Sequence, residues 1–165
     1  MTLLKRPGSN SGQKNNMKTN KIVRAVLDTN IIVKALISKR PITAAKKIMF
    51  AIDEARFISV VSNELLAEIY TVLKYLISDD IAENTIFDLE FKSEKIEIKD
   101  ILSEIQEFVK DKSDIKVMRT AIEGEADYLV TDNIRDFAKY FITKAGKKAE
   151  TIKPRKFLNI LGISK

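Results

Sequence analysis

The sequence contains no cysteine and no histidine. The first absence excludes disulfides, Cys nucleophiles and thiolate metal sites, and the second excludes Ser/His triads and histidine acid/base chemistry; zinc fingers and zinc deaminases fall with both. The five glycines never fall in the GxxxxGK spacing of a phosphate-binding loop. No run approaches the roughly 18 apolar residues that cross a bilayer, and the polar first segment lacks the apolar stretch of a signal peptide. The sequence therefore predicts a soluble cytoplasmic protein with no membrane partner. If it is an enzyme, carboxylates, lysines, hydroxyls or a bound cofactor do the work.

What is present suits one globular domain: 165 residues, 45% hydrophobic and 32% charged. The net charge of +6 is unevenly spread. Residues 1–27 carry six basic residues and no acid, and residues 139–165 carry eight basic residues against Glu150 alone. The interval between them holds 15 basic and 22 acidic residues, so an acidic body is flanked by basic ends. Each acid taken singly reads as solvated surface. The question is whether some of them converge.

Residues 1–20 are rich in Asn, Ser, Gly and Lys and too poor in apolar side chains to repay the entropy of ordering, so they read as a flexible basic tail before one domain over 21–165. From Ile22, IVRAVLD reads as a buried strand ending at an acid. A short helix is expected over Ile31–Leu36, and a second, opened by Pro41, over Thr43–Asp53. Phe57–Val61 reads as a strand and Ser62 as the N-cap of a helix to about Leu76. Residues 79–98 suggest a helix over Ile81–Leu89, with SEKIEI as an exposed strand. Helices are expected over Asp100–Lys110 and Ser113–Ile122, the latter ended by Gly124. YLVT at 128–131 reads as a second strand running into an acid. A short helix over Arg135–Tyr140, a strand over Glu150–Ile152 and a last helix from Pro154 complete the order. Strands alternating with helices predict a three-layer α/β/α sandwich around a mainly parallel sheet.

In such a sheet ligands bind beyond the carboxyl ends of the strands, where loops and helix starts converge. Asp28 and Asp132 each follow a strand. Either one alone reads equally well as a helix cap; the pair says more. Glu68 falls in the second turn of the helix leaving the second strand, with Glu64 one turn earlier on the same face. Asp114 begins the helix before YLVT, where an acid also suits the helix dipole. Asp136 follows Asp132 by four residues.

These segments resemble the PIN-domain family of metal-dependent ribonucleases, and within it the toxin-like bacterial and archaeal branch. The resemblance rests on VLDTNIIVKALIS at 26–38, RFISVVSNELLAEI at 56–69, DKSDIKVM at 111–118, ADYLVTDNIRDF at 126–137 and IKPRKFLNIL near the C-terminus. It implies acidic site residues at Asp28, Glu68, Asp114, Asp132 and Asp136, serving as metal ligands. It further implies that Thr29, Asn30, Thr131 and Asn133 support a carboxylate, a metal or a phosphate. Asn133 stands where many relatives carry an acid, so Asp132 and Asp136 are alternatives for one role. Ile115 stands where relatives often have a polar residue, which leaves Asp114 for the third motif.

Elementary electrostatics agrees with the resemblance. Two carboxylates about 4 Å apart repel by roughly 1 kcal/mol in water and about 4 kcal/mol at an effective dielectric of 20, so a cluster of them takes up protons or a cation. Oxygen ligands without His or Cys favour Mg2+ or Mn2+ over zinc. The expected function is Mg2+- or Mn2+-dependent endonucleolytic RNA hydrolysis, with Asn30 or Thr131 orienting water or phosphate. Lys139, Lys144, Lys147, Lys148, Lys153 and Arg155 are candidates to hold the RNA backbone. Phe137, Tyr140 and Phe141 suit the core as well as a stacking platform. The alternative is a catalytically inactive PIN-like scaffold that binds RNA or a protein. An aspartyl-phosphate phosphatase would need an acid at position 30, and the motif order of a phospho-receiver does not match. The resemblance also implies a cognate antitoxin as partner, and a homodimer.

Overall fold

The computed structural model describes residues 20–99, 108–109 and 114–163. Strand β1 (Arg24–Leu27) is flanked on one side by β2 (Ile58–Ser62) and on the other by β4 (Tyr128–Val130), both parallel to it. With β3 (Glu94–Ile96), β5 (Tyr140–Ile142) and β6 (Lys148–Ile152) the sheet has the order β3-β2-β1-β4-β6-β5, and only β5 runs antiparallel. Ala25, Val26 and Leu27 are buried, as a central strand covered on both faces requires. The chain leaves β1 toward β2 on one side and returns to β4 on the other. The carboxyl ends of β1 and β4 therefore frame the point where the connection order reverses, and the crevice opens there.

Among the described residues six helices cover the sheet: α1 (Thr29–Ile37), α2 (Ala44–Asp53), α3 (Asn63–Leu76), α4 (Asp79–Lys92), α5 (Ile115–Glu123) and α6 (Pro154–Ile160). Helix α1 packs on α2 and α3, α3 on α4 and α5, and α5 on β1 and β2. Helix α6 docks through buried Phe157, whose ring meets Phe57 edge-on at 4.9 Å, a pairing worth about 0.5–1.5 kcal/mol beyond area burial. The α/β sandwich is thus the expected one. No helix of the described residues is long and apolar enough to cross a membrane.

Several boundaries differ from expectation for identifiable reasons. Strand β1 begins at Arg24, leaving Ile22 exposed. Thr43, not Pro41, starts α2, because its hydroxyl accepts the Lys46 amide at 3.1 Å and satisfies a free helix donor. Helix α4 and the exposed strand β3 both form, α4 extending to Lys92 behind the Ser78 cap. The helix expected over 135–140 is a 3-10 turn at Ile134–Asp136, and Tyr140 belongs to β5. Gly124 does end α5, but with φ −82 it takes no left-handed conformation; Glu125, at φ 52, takes it instead. Gly124 is required by proximity: a Cβ there would lie 2.4 Å from Val60 Cγ1 and 2.7 Å from the Thr120 carbonyl oxygen. The tail over 1–20, apart from Asn20, and the helix over 100–110, apart from Phe108 and Val109, lie outside the described residues. Val109 forms an antiparallel bridge to Phe137.

Candidate active site

Asp28 stands immediately beyond β1, and its amide still donates to the Val130 carbonyl at 2.9 Å, so the sheet itself sets its position. It occupies the N-cap position of α1 yet makes no side-chain capping bond. Its carboxylate instead accepts from the Thr131 hydroxyl, Oγ1 to Oδ2 at 2.7 Å, across the β1–β4 seam. Thr131 Oγ1 in turn accepts the Asn133 amide at 3.0 Å. The direction of this chain is forced: the amide can only donate and an ionised carboxylate can only accept, so the hydroxyl proton points at Asp28.

Asp28 and Thr131 are only 4% and 0% exposed, so this carboxylate is a buried charge. Burial raises the Asp28 pKa above the ordinary aspartate value. The Thr131 hydroxyl and the Thr29 and Asn30 amides oppose the rise without cancelling it, and the Asp132 carboxylate adds to it. Among the described residues no lysine or arginine forms a salt bridge with Asp28. Glu68, half-buried on α3, is likewise raised, first by burial and further by Asp28, against the opposing pull of Lys116 and the Thr29 hydroxyl. Thr29 Oγ1 donates to Glu68 Oε1 over a long 3.4 Å. Two acids from separate elements therefore face each other electrostatically, each held by a threonine.

The placement of Glu68 depends on how α3 begins. Ser62 Oγ accepts the Leu65 amide at 3.1 Å and also bonds Thr120 Oγ1 on α5 at 2.7 Å, in the buried interior. One serine thus caps α3 and joins it to α5, the helix that presents Lys116 and, at its N-cap, Asp114. Glu64 turns to Arg119 at 3.5 Å.

The five expected acids do not form one tight cage. The Asp132 carboxylate acts on Asp28, and Asp28 acts on Glu68. Asp114 is half-buried and Asp136 lies in the 3-10 turn, also half-buried. Among the described residues no three acids stand close enough to hold a metal ion between them. Of the polar neighbours, buried Thr29 and Thr131 spend their hydroxyls on the acids, Asn133 contributes its amide, and Asn30 is exposed.

Two participants were not anticipated. Lys34 Nζ reaches Asp132 Oδ2 at 2.6 Å, and Lys116 is the cation that acts on Glu68. Lys34 had a signal: in TNIIVKALI, Asn30 and Lys34 stand four residues apart among mostly apolar neighbours, a polar edge on one face of the helix.

An oxygen-only donor set suits Mg2+ or Mn2+, which keep several waters and take one or two protein carboxylates plus substrate phosphate. Asp28, buried and in no salt bridge among the described residues, and Glu68 fit that demand without a third converging acid.

Residues 24–135 match the family model of the PIN domain, a span that contains Asp28, Glu68, Asp114 and Asp132 and ends just before Asp136. Comparison with curated proteins gives no match. Among solved structures, the VapBC2 complex of Rickettsia felis bound to a DNA fragment from its promoter is similar with TM-score 0.52 and 16% identity, over 79% of this chain and 98% of that one. A toxin-antitoxin complex from Klebsiella pneumoniae is similar with TM-score 0.50 and 21% identity, over 69% and 90%. The fold of these structures, the matched span and the strand-end acids inside it agree: this chain belongs to the PIN-domain family.

Proposed function

We propose that the protein is a divalent-metal-dependent endoribonuclease that hydrolyses RNA phosphodiester bonds, acting in the cytoplasm as the toxin of a toxin-antitoxin pair. The observation that carries this reading is Asp28: a carboxylate buried at the reversal point of the sheet, raised in pKa and in no salt bridge among the described residues. Asp28 and Glu68 are the principal ligands for Mg2+ or Mn2+, and Asp132 is favoured over Asp136 as the further acid because it acts on Asp28. Asp114 and Asp136 complete the acidic rim. When bound, the ion polarises the phosphodiester and acidifies water beside it.

The chain's own residues do the rest. Thr131, its proton directed by the Asn133 amide, holds Oδ2 of Asp28, and the Thr29 and Asn30 amides also act on that carboxylate. Thr29 steadies Glu68. Lys34 fixes Asp132 at the mouth of the crevice. Asn30, exposed one residue beyond Thr29, is the side chain placed to orient phosphate or water. The similar structure from Klebsiella pneumoniae is named as a toxin-antitoxin complex, which supports a protein partner for this chain and leaves a homodimer compatible.

The test is cleavage of defined structured RNA with and without Mn2+, wild type against Asp28→Asn. Loss of about 100-fold or more is expected, since replacement of a ligand should exceed the 10–100-fold typical of outer-shell changes. Full activity of Asp28→Asn in a clean preparation would reject the site. The alternative, a scaffold that binds without cutting, draws on the lack of three tightly converging acids among the described residues. It requires that millimolar Mn2+ leave no calorimetric binding signal.

A further inference from the structure

Thr120 lies outside every sequence motif and outside the acid pair, yet it is fully buried. On α5 its buried neighbours are Val117, Met118, Ala121 and Ile122, and a valine among them would bring no polar atom to satisfy. The Thr120 hydroxyl makes two bonds of 2.7 Å, one to Ser62 Oγ and one to the Lys116 carbonyl oxygen. A carbonyl can only accept, so Thr120 donates to Lys116 and its oxygen accepts from Ser62. Ser62 Oγ in turn accepts the Leu65 amide at 3.1 Å. The chain therefore has one direction, from the Leu65 amide through Ser62 and Thr120 to the Lys116 carbonyl, and each hydroxyl donates once and accepts once.

The two ends of this chain fall on the two sides of one electrostatic contact. Leu65 precedes Glu68 by three residues on α3, and Lys116 is the cation that acts on Glu68. Ser62 alone suffices to cap α3; the further step to Thr120 adds nothing to the cap and ties α3 to α5. Helix α5 is held at its far end as well. Arg24, the first residue of β1, donates to the Gly124 carbonyl at 2.7 and 3.1 Å, so the last turn of α5 sits at the amino edge of the sheet and its first turn points to the carboxyl edge. Apolar packing tolerates small displacements along a helix, whereas a fully satisfied buried hydrogen-bond chain specifies one arrangement.

We propose that Thr120 is a positioning residue of the candidate metal site: acting through Ser62, it fixes the second turn of α3 against the first turn of α5 and so sets where the Glu68 carboxylate stands relative to Asp28 and Lys116. The inference rests on the reading of Glu68 as a metal ligand. Thr120 touches neither the ion nor the substrate. Its loss therefore shows as weaker ion binding, not as slower chemistry once the ion is bound.

The experiment measures Mn2+ affinity by calorimetry on the full chain without RNA. Thr120→Val keeps the shape and removes the hydroxyl, Thr120→Ser keeps the hydroxyl, and Arg24→Ala releases the other end of the same helix. Thr120→Val is expected to weaken Mn2+ binding about tenfold, the low end for residues that support a metal ligand, and the other two variants by less than about twofold. Thr120→Ala repeats the comparison with a better helix former, so the outcome does not hang on one variant folding. In RNA cleavage, the deficit of Thr120→Val is expected to close at saturating Mn2+. Unchanged Mn2+ affinity in Thr120→Val and Thr120→Ala would overturn the proposal. So would an equal loss in Arg24→Ala, because loosening α5 anywhere would then suffice, or a loss in Thr120→Ser, or a cleavage deficit that persists at saturating Mn2+. Thr120-dependent Mn2+ binding in a chain that does not cleave RNA would keep the positioning role and reject the nuclease. Cleavage with Thr120-independent binding would do the reverse, and a wild type that binds no Mn2+ would reject both.

Discussion

The two ends of β1 treat charge in opposite ways. At the amino end, the Arg24 side chain donates to the Gly124 carbonyl at 2.7 and 3.1 Å and pairs bidentately with Glu94. The Arg24 amide and Lys147 also hold Asp127, and Lys21 adds to them. Burial alone would raise Asp127, but these partners outweigh it and keep its pKa below the ordinary value. At the carboxyl end, four residues on, Asp28 is buried more deeply, is in no salt bridge among the described residues, and its pKa is raised. One end is neutralised from within the chain; at the other, burial outweighs the hydrogen bonds. Stability is concentrated at the first end and has been given up at the second, which is the usual trade at a functional site.

This contrast can be broken most forcefully at Gly124. Gly124→Ala drives a methyl group into Val60 and the Thr120 carbonyl, and overpacking of that kind costs about 1–3 kcal/mol. Thermal unfolding should show it as a loss of several degrees. Arg24→Ala comes next, at about 1.5–2 kcal/mol, mainly from the bonds to Gly124; Glu94 is half-exposed and solvent screens its share. Cleavage per folded molecule should be unchanged in both, and a specific loss of activity would mean that the two ends are coupled.

At the other end the signs reverse. Mn2+ at ten times its dissociation constant should stabilise the wild type by about 1.4 kcal/mol and leave Asp28→Asn unaffected. Asp28→Asn in metal-free buffer should stabilise the fold by an amount on the order of 1 kcal/mol, read as a higher melting temperature. The sign follows from linkage. A carboxyl whose folded pKa lies above its unfolded one withdraws stability as pH rises from the ordinary aspartate value through the raised value. The advantage of Asp28→Asn should therefore be complete at neutral pH and vanish below the ordinary aspartate pKa. An advantage that persisted there would show that charge is not its cause. Smallest of all, Lys95→Ala at its exposed pair with Glu90 should change stability by less than about 0.5 kcal/mol.

Much of this architecture was legible in the order of residues. IVRAVLD and YLVT are apolar runs of strand length, and burial on both faces makes that pattern hard to satisfy otherwise. The caps Ser62 and Gly124 and the start at Pro154 are local chemistry and were readable as such. Strand β5 was missed because Tyr140–Ile142 is three residues long and alternates exposed with buried, too short a signal to stand against a helical reading of RDFAKY. The edge pairing with β6 decides it. Phe137 and Phe141 proved to be core and Tyr140 exposed, with Lys148 4.2 Å and Lys139 5.2 Å from its ring centre, a division that composition does not reveal.

The sequence by itself determined the alternation of elements, the positions at which strands run into acids and the oxygen-only character of any metal site, because each of these depends on residues within a few positions of one another. Tertiary structure alone decided which charges meet. The Thr131–Asp28, Lys34–Asp132 and Ser62–Thr120 contacts join residues 103, 98 and 58 positions apart. No local pattern encodes such distances; they follow from strand order, and from which side chains the sheet and its helices leave without a partner.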